Sequence, residues 1–150
     1  MRSLAAGTRY LQKLAGQSGR ERSRYAALYY GEYLIESGSK QTGNAQLQKF
    51  MAQAEIGKAH RQIAAIRLAA ANGAALPAAA SLEAEARTEL AAALSHSAAQ
   101  KAEAVALLDR ALEELHKNGG TLPVRAITNA LAVYTRAGQH DKALALLGTQ

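Results

Sequence analysis

A chain of 150 residues with 36 Ala, one Phe and no Trp is long enough to bury a modest core, which it must build by close helix approach instead of large aromatic plugs. The absence of Cys excludes a disulfide framework and thiolate metal sites and suits a reducing interior, while Arg67, Asn72 and Pro77 interrupt the most Ala-rich stretch, so no apolar run reaches membrane-spanning length. Net charge is +6 and uneven: residues 1 to 80 hold 11 Lys/Arg against 4 Asp/Glu, and residues 81 to 150 hold 7 against 8.

That division places any polyanion-binding face, RNA above all, in the N-terminal half. Strand formers are scarce, and Ala, Leu, Gln, Glu, Lys and Arg dominate, so the chain is predicted to be all-α.

Residues 2 to 15 set Leu4, Leu11 and Leu14 on one helical face with Arg2, Arg9 and Lys13 opposite, and no acid precedes Glu21. A basic, acid-free amphipathic start has the form of an organellar targeting segment over residues 1 to 25, and "RSRYAA" has the form of a processing site with a cut after Tyr25. The alternative is a basic arm, or an uncleaved helix, within an N-terminal helical region covering residues 1 to 40. Tyr25, Tyr29 and Tyr33 then share a helix face, interleaved upstream with Arg20, Arg22 and Arg24. Such a stripe stacks bases and contacts phosphates in a single-strand binder, or it buries itself against the next helix.

"SGSKQTGN", residues 37 to 44, is expected to be a connector: it lacks the Gly-x4-Gly-Lys-Ser/Thr spacing of a phosphate loop. A single helix is expected from about Ala45 to Ala71, a rod of about 40 Å, with Leu47, Phe50, Met51, Ala54, Ile63 and Ile66 buried and Gly57 a weak point. Asn72-Gly73-x-x-Leu76-Pro77 returns 46 residues later as Asn118-Gly119-x-x-Leu122-Pro123. Asn-Gly closes a helix and Pro opens the next, so each motif reads as a helix-to-helix joint. Helical hairpins follow both joints, and residues 45 to 150 read as a helical-repeat domain of antiparallel hairpins in a short α-solenoid.

The segment "LAVYTRAGQHDKALALL" carries Tyr134, Ala137 and Gly138 at the end of a first helix, and Asp141, Ala143, Leu144 and Leu147 along a second. With the preceding "AEAVALLDRALEELHKNGGTLP", it resembles a pentatricopeptide repeat, and Ala104 and Ala111 also fit the related tetratricopeptide family. The resemblance covers residues from about 80 onward. It implies an organellar RNA-binding protein whose base-selecting position falls on Thr128 when counted from one landmark and on Asn129 from the other. The corresponding region of the earlier repeat holds Leu82 or Glu83.

Catalytic chemistry is not expected. His60, His96, His116 and His140 form no metal-ligand spacing, Ser95-His96-Ser97 lies outside any nucleophile elbow, and Glu83, Glu85 and Glu89 suit a helix N-terminus through the dipole. No cofactor, metal or small-molecule substrate is expected. The expectation is therefore a non-catalytic accessory subunit of an organellar ribonucleoprotein, with the mitochondrial ribosome as first choice, the matrix as its compartment and a chloroplast counterpart as an alternative. Arg2, Arg9, Lys13, Arg20, Arg22, Arg24, Lys49, Lys58, Arg61 and Arg67 would meet rRNA phosphates, and the C-terminal hairpins would meet protein subunits. The rival is a protein-binding scaffold or assembly subunit of a respiratory complex or ATP synthase.

Overall fold

The computed structural model describes residues 25 to 148. Among them every regular element is helical: α1 (Ala26–Glu36), α2 (Lys40–Met51), α3 (Lys58–Ala71), α4 (Ala84–Leu94), α5 (Lys101–Gly119), α6 (Val124–Arg136) and α7 (His140–Gly148), with single 3-10 turns at Ala79–Ser81 and Ala98–Gln100. The chain divides into two compact units, Met1–Ala74 and Ala75–Gln150.

In the first unit α1 packs on α2 and α3, and α2 on α3. Its core gathers Ala27, Leu28, Leu47, Phe50, Ile56 and Ala64, with Tyr25, Ile35, Met51 and Leu68 around them. The expected connector at 37 to 44 is only a three-residue turn; Lys40 already begins α2, and Gly43 is a packing position inside it. A Cβ on Gly43 would stand 2.7 Å from Ile35 Cγ1, 2.8 Å from the Gly31 carbonyl oxygen and 3.0 Å from the Ile35 nitrogen. The two helix backbones meet there, and only Gly admits that approach.

The single rod expected from Ala45 to Ala71 is two helices, broken from Ala52 to Gly57. Ile56 turns into the core from the break, Gly57 supplies an extended residue ahead of α3, and Arg61 Nη2 closes the turn by donating to the Gln53 carbonyl oxygen at 2.7 Å. The C-terminal end of α3 is tied to the N-terminal half of α2 by Asn72 and Asn44, whose side-chain amides donate to each other at 2.9 and 3.3 Å.

In the second unit α4 packs on α5 and α6, α5 on α6, and α6 on α7. The shared core comprises Ala91, Ala104, Val105, Leu108, Leu112, Leu122, Ala126, Ala130, Val133, Tyr134, Ala143 and Leu146. The two Asn-Gly-x-x-Leu-Pro motifs do not make equivalent joints. At the first, Gly73 (φ +64°) follows the cap residue Asn72, and the bonds Ala74 N–H to Ala69 O and Gly73 N–H to Ala70 O complete a Schellman closure. At the second, α5 runs through Gly119 and it is Gly120 that reverses the chain, at φ +79° and ψ −62°, in a γ-turn bonding Thr121 N–H to Gly119 O at 2.9 Å.

The exits differ as well. Pro123 abuts α6, whereas a 3-10 turn and extended residues separate Pro77 from α4. The internal correspondence in this unit is therefore shorter than the 46-residue motif interval. Ala84 of α4 and Val124 of α6, the two first residues, are 40 apart; Lys101 of α5 and His140 of α7 are 39 apart. At that second spacing "QKAEAVALL" (100 to 108) aligns with "QHDKALALL" (139 to 147).

The Gly31–Gly43 crossing yields a test. Gly43→Ala should gain about 1 kcal/mol of helix propensity and lose more to overpacking, which typically costs about 1–3 kcal/mol, because the obstacles include backbone atoms that no rotamer can move. Urea denaturation followed by circular dichroism should show a net loss of stability; a gain would mean the helices are not in contact there.

Candidate functional site

The cations expected to meet phosphates fall into three groups. Arg2, Arg9, Lys13, Arg20, Arg22 and Arg24 lie outside the described residues. Lys49, Lys58 and Arg61 are exposed on α2 and α3, with one Arg61 nitrogen occupied by the Gln53 carbonyl. Arg67 is engaged within its own unit: its Nη2 lies 2.9 Å from Glu36 Oε1 and its Nε 3.8 Å from Glu32 Oε1. It clamps α3 to α1.

The tyrosine stripe is divided too. Tyr25 packs at the edge of the core, 4.7 Å from the His60 ring and 6.1 Å from Phe50 between centroids. Tyr30, outside the stripe, is buried, Tyr33 is half-buried and Tyr29 is exposed.

Thr128 and Asn129 take opposite roles. Thr128 is exposed, its hydroxyl donating back to the Val124 carbonyl at 3.0 Å. Asn129 is 8% exposed, and its Nδ2 donates to Glu89 Oε2 at 2.7 Å and Thr88 Oγ1 at 3.1 Å. Its amide is thus occupied inside the protein, which leaves Thr128 as the outward member of the pair.

Asn129 belongs to a polar seam between α4 and α6. Glu89, read as a helix-start acid, is buried, and Arg125 Nη1 approaches its Oε2 at 3.4 Å. Seven residues along both helices the pattern recurs: Arg136 Nη1 donates to Ser95 Oγ at 2.9 Å and to the Ala92 carbonyl at 3.1 Å. Arg87 reaches from α4 to Glu114 on α5 and bonds the Leu82 carbonyl. A second cluster joins α5, α6 and α7. The Tyr134 hydroxyl donates to Asp109 Oδ1 at 2.5 Å, Lys142 Nζ donates to Asp109 Oδ2 at 2.9 Å, and the ammonium stands 5.7 Å from the Tyr134 ring centre. Burial, reinforced by the hydrogen bond to Asp109 and its charge, pushes the Tyr134 phenol well above its ordinary value.

A cleft of about 550 Å³ lies within the second unit, between Leu76–Ala79 and the α4–α5 pair, walled by Leu90, Leu94 and Leu107 with Glu103 and Arg110 among its polar groups. Among the described residues no group of three or more His, Cys, Asp or Glu is placed to hold a metal, and no helix is long and apolar enough to cross a membrane. Ser95, the first residue of the Ser-His-Ser run, is buried and its hydroxyl donates to the Ala92 carbonyl. No protein family, curated protein or solved structure matches the chain.

Two measurements check these assignments. Asn129→Ala should destabilise the second unit by about 1–3 kcal/mol, since it strips hydrogen bonds from a buried carboxylate and hydroxyl, whereas Thr128→Ala should stay within about 0.5 kcal/mol; equal effects would contradict the seam. For Tyr134 the folded-state value is raised, so its contribution is complete below the ordinary phenol value of about 10 and is lost as pH rises above it, by at most about 1.4 kcal/mol per pH unit. Tyr134→Phe should flatten the alkaline limb of a stability-versus-pH curve, and an unchanged limb would remove Tyr134 as its cause.

Proposed function

We propose that this chain is a non-catalytic helical docking protein, an accessory subunit of an organellar ribonucleoprotein, with the mitochondrial ribosome as the assembly and the matrix as its compartment. The observation that carries the docking role is the apolar surface left on the last helix: Leu144 is 66% exposed and Leu147 54%, on a helix only nine residues long. Large apolar side chains held in that way mark a surface meant to be covered.

The RNA part of the reading rests on charge. Residues 1 to 80 carry 11 basic against 4 acidic side chains, and Lys49, Lys58 and Arg61 are exposed in the first unit. Contacts of this kind neutralise phosphates without reading sequence, and the affinity they provide falls steeply with salt. The neighbour order of α4 to α7, each pair leaning on the next, supports the pentatricopeptide- or tetratricopeptide-like stacking suggested by "LAVYTRAGQHDKALALL". With two helix pairs and Asn129 turned inward, docking on structured RNA and protein fits better than base-by-base reading of a long transcript.

A second reading, a scaffold of a membrane-bound respiratory or ATP synthase complex, is favoured by one observation. Tyr25 and Arg67, two members of the expected RNA surface, are engaged in packing and ion pairing within the first unit.

Sedimentation of the native protein from its source, with and without ribonuclease, separates the two. Co-migration with a ribosomal subunit that is lost on RNA digestion is the expected result. Co-migration with a ribonuclease-resistant membrane complex would establish the scaffold reading in its place.

A further inference from the structure

The surface on α7 can be assigned an occupant, because the same surface one helix pair earlier is already occupied. At the 39-residue spacing, Ala104, Val105, Leu107 and Leu108 of α5 correspond to Ala143, Leu144, Leu146 and Leu147 of α7. Ala104 and Leu107, like Ala143 and Leu146, are wholly or partly covered in both pairs. Val105 and Leu108 differ from their counterparts: they are 7% and 0% exposed, against 66% and 54% for Leu144 and Leu147.

The two pairs differ in one respect that bears on this. Helix α5 has α6 packed on it, and α6 contributes Ala126, Ala130 and Val133 to the cluster in which Val105 and Leu108 are buried. Among the described residues no helix stands in that place beside α7.

The first helices give the same answer independently. At the 40-residue spacing, Thr88 and Ser95 of α4 correspond to Thr128 and Thr135 of α6. Thr88 and Ser95 are buried, and their hydroxyls accept from Asn129 and Arg136 of the incoming helix. Thr128 and Thr135 are exposed. Two hydroxyls seven residues apart on α6, and two leucines three apart on α7, are therefore open where α4 and α5 present covered equivalents.

We infer that the α6–α7 face binds an amphipathic helix of a partner protein, one with small apolar residues at i, i+4 and i+7 and side-chain hydrogen-bond donors seven residues apart, the chemistry that α6 presents to α4 and α5. A second copy of this chain does not meet the requirement, because its own Ala126, Ala130 and Val133 are buried and its Asn129 and Arg136 are already bonded to α4. The inference rests on the docking reading above and names its site and the form of its partner.

The test uses the full chain and, as probe, a synthetic peptide of residues 122 to 138, the helix that fills the equivalent place. Fluorescence anisotropy should show saturable binding, and Leu144→Lys with Leu147→Lys should weaken it about 10-fold or more. Thr128→Val with Thr135→Val should weaken it less, and Gln48→Lys, at an exposed residue of the first unit, should leave it unchanged. Circular dichroism of each variant confirms that the exposed substitutions leave the fold intact.

Absence of peptide binding, or binding that the leucine variants do not alter, overturns the inference. Concentration-dependent self-association abolished by the same leucine variants overturns it in favour of a second copy. A chain that enters a large native complex yet does not bind the peptide loses this inference alone; a chain that enters no complex but binds the peptide loses the ribonucleoprotein reading alone.

Discussion

A carboxylate taken out of water must be met by donors, and Glu89 imposes that requirement on the second unit. Its neighbours on the facing helix, Asn129 and Arg125, supply them. The consequence is register. An Ala-lined helix face is nearly the same at every turn, so Ala86, Ala91, Ala126 and Ala130 alone would allow α6 to slide along α4 at little cost. A slide of one turn would remove the donors from Glu89 and leave a buried charge unpaired, which costs about 3–5 kcal/mol. The Arg136–Ser95 contact repeats the constraint near the other end of the seam. Helices made mostly of alanine are thereby held in one alignment by a few polar groups.

The first unit meets the same scarcity of bulky side chains differently. Gly31 and Gly43 let the backbones of α1 and α2 touch, which replaces side-chain volume with close approach, and Phe50 and Leu47 fill the space beside the crossing. Alignment there comes from the rim: Arg67 reaches Glu32 and Glu36 on α1, and Asn72 pairs with Asn44. Arg67, which the sequence suggests as a phosphate contact, is one of the side chains that hold the unit together.

Which features could be read from the sequence follows from how local their causes are. The all-helical class, the end of α3 at Asn72-Gly73 and the start of α6 after Pro123 depend on composition and on single-residue backbone preferences, and these were legible. The break between α2 and α3 was legible in principle: at 100° per residue the 13 positions from Phe50 to Ile63 leave the two about 140° apart, so a straight helix could not bury both on one side. The 46-residue motif interval misled because identical letters served unlike turns, Gly73 in one and Gly120 in the other. The 39-residue correspondence was present in "QKAEAVALL" and "QHDKALALL" but concealed by a one-residue difference from the 40-residue spacing of the first helices. The burial of Glu89 and Asn129 had no local signal at all, since it depends on which residue of a distant helix faces each.

The two expected kinds of contact rest on different physics, and that bears on how such a protein would assemble. Phosphate contacts from the first unit depend on released counterions and weaken as salt rises. Burial of Leu144 and Leu147 under a partner helix would depend on apolar area, with about 1–2 kcal/mol available from each because each is already partly covered, and salts do not screen it. Charge attracts at long range without fixing an orientation; the leucines would act only on contact, and the exposed hydroxyls of Thr128 and Thr135 would set the register of a helix bound there. A chain carrying both can be drawn to a highly charged assembly by its basic residues and fixed there by a short helical face that neither attracts nor excludes anything until it is within reach.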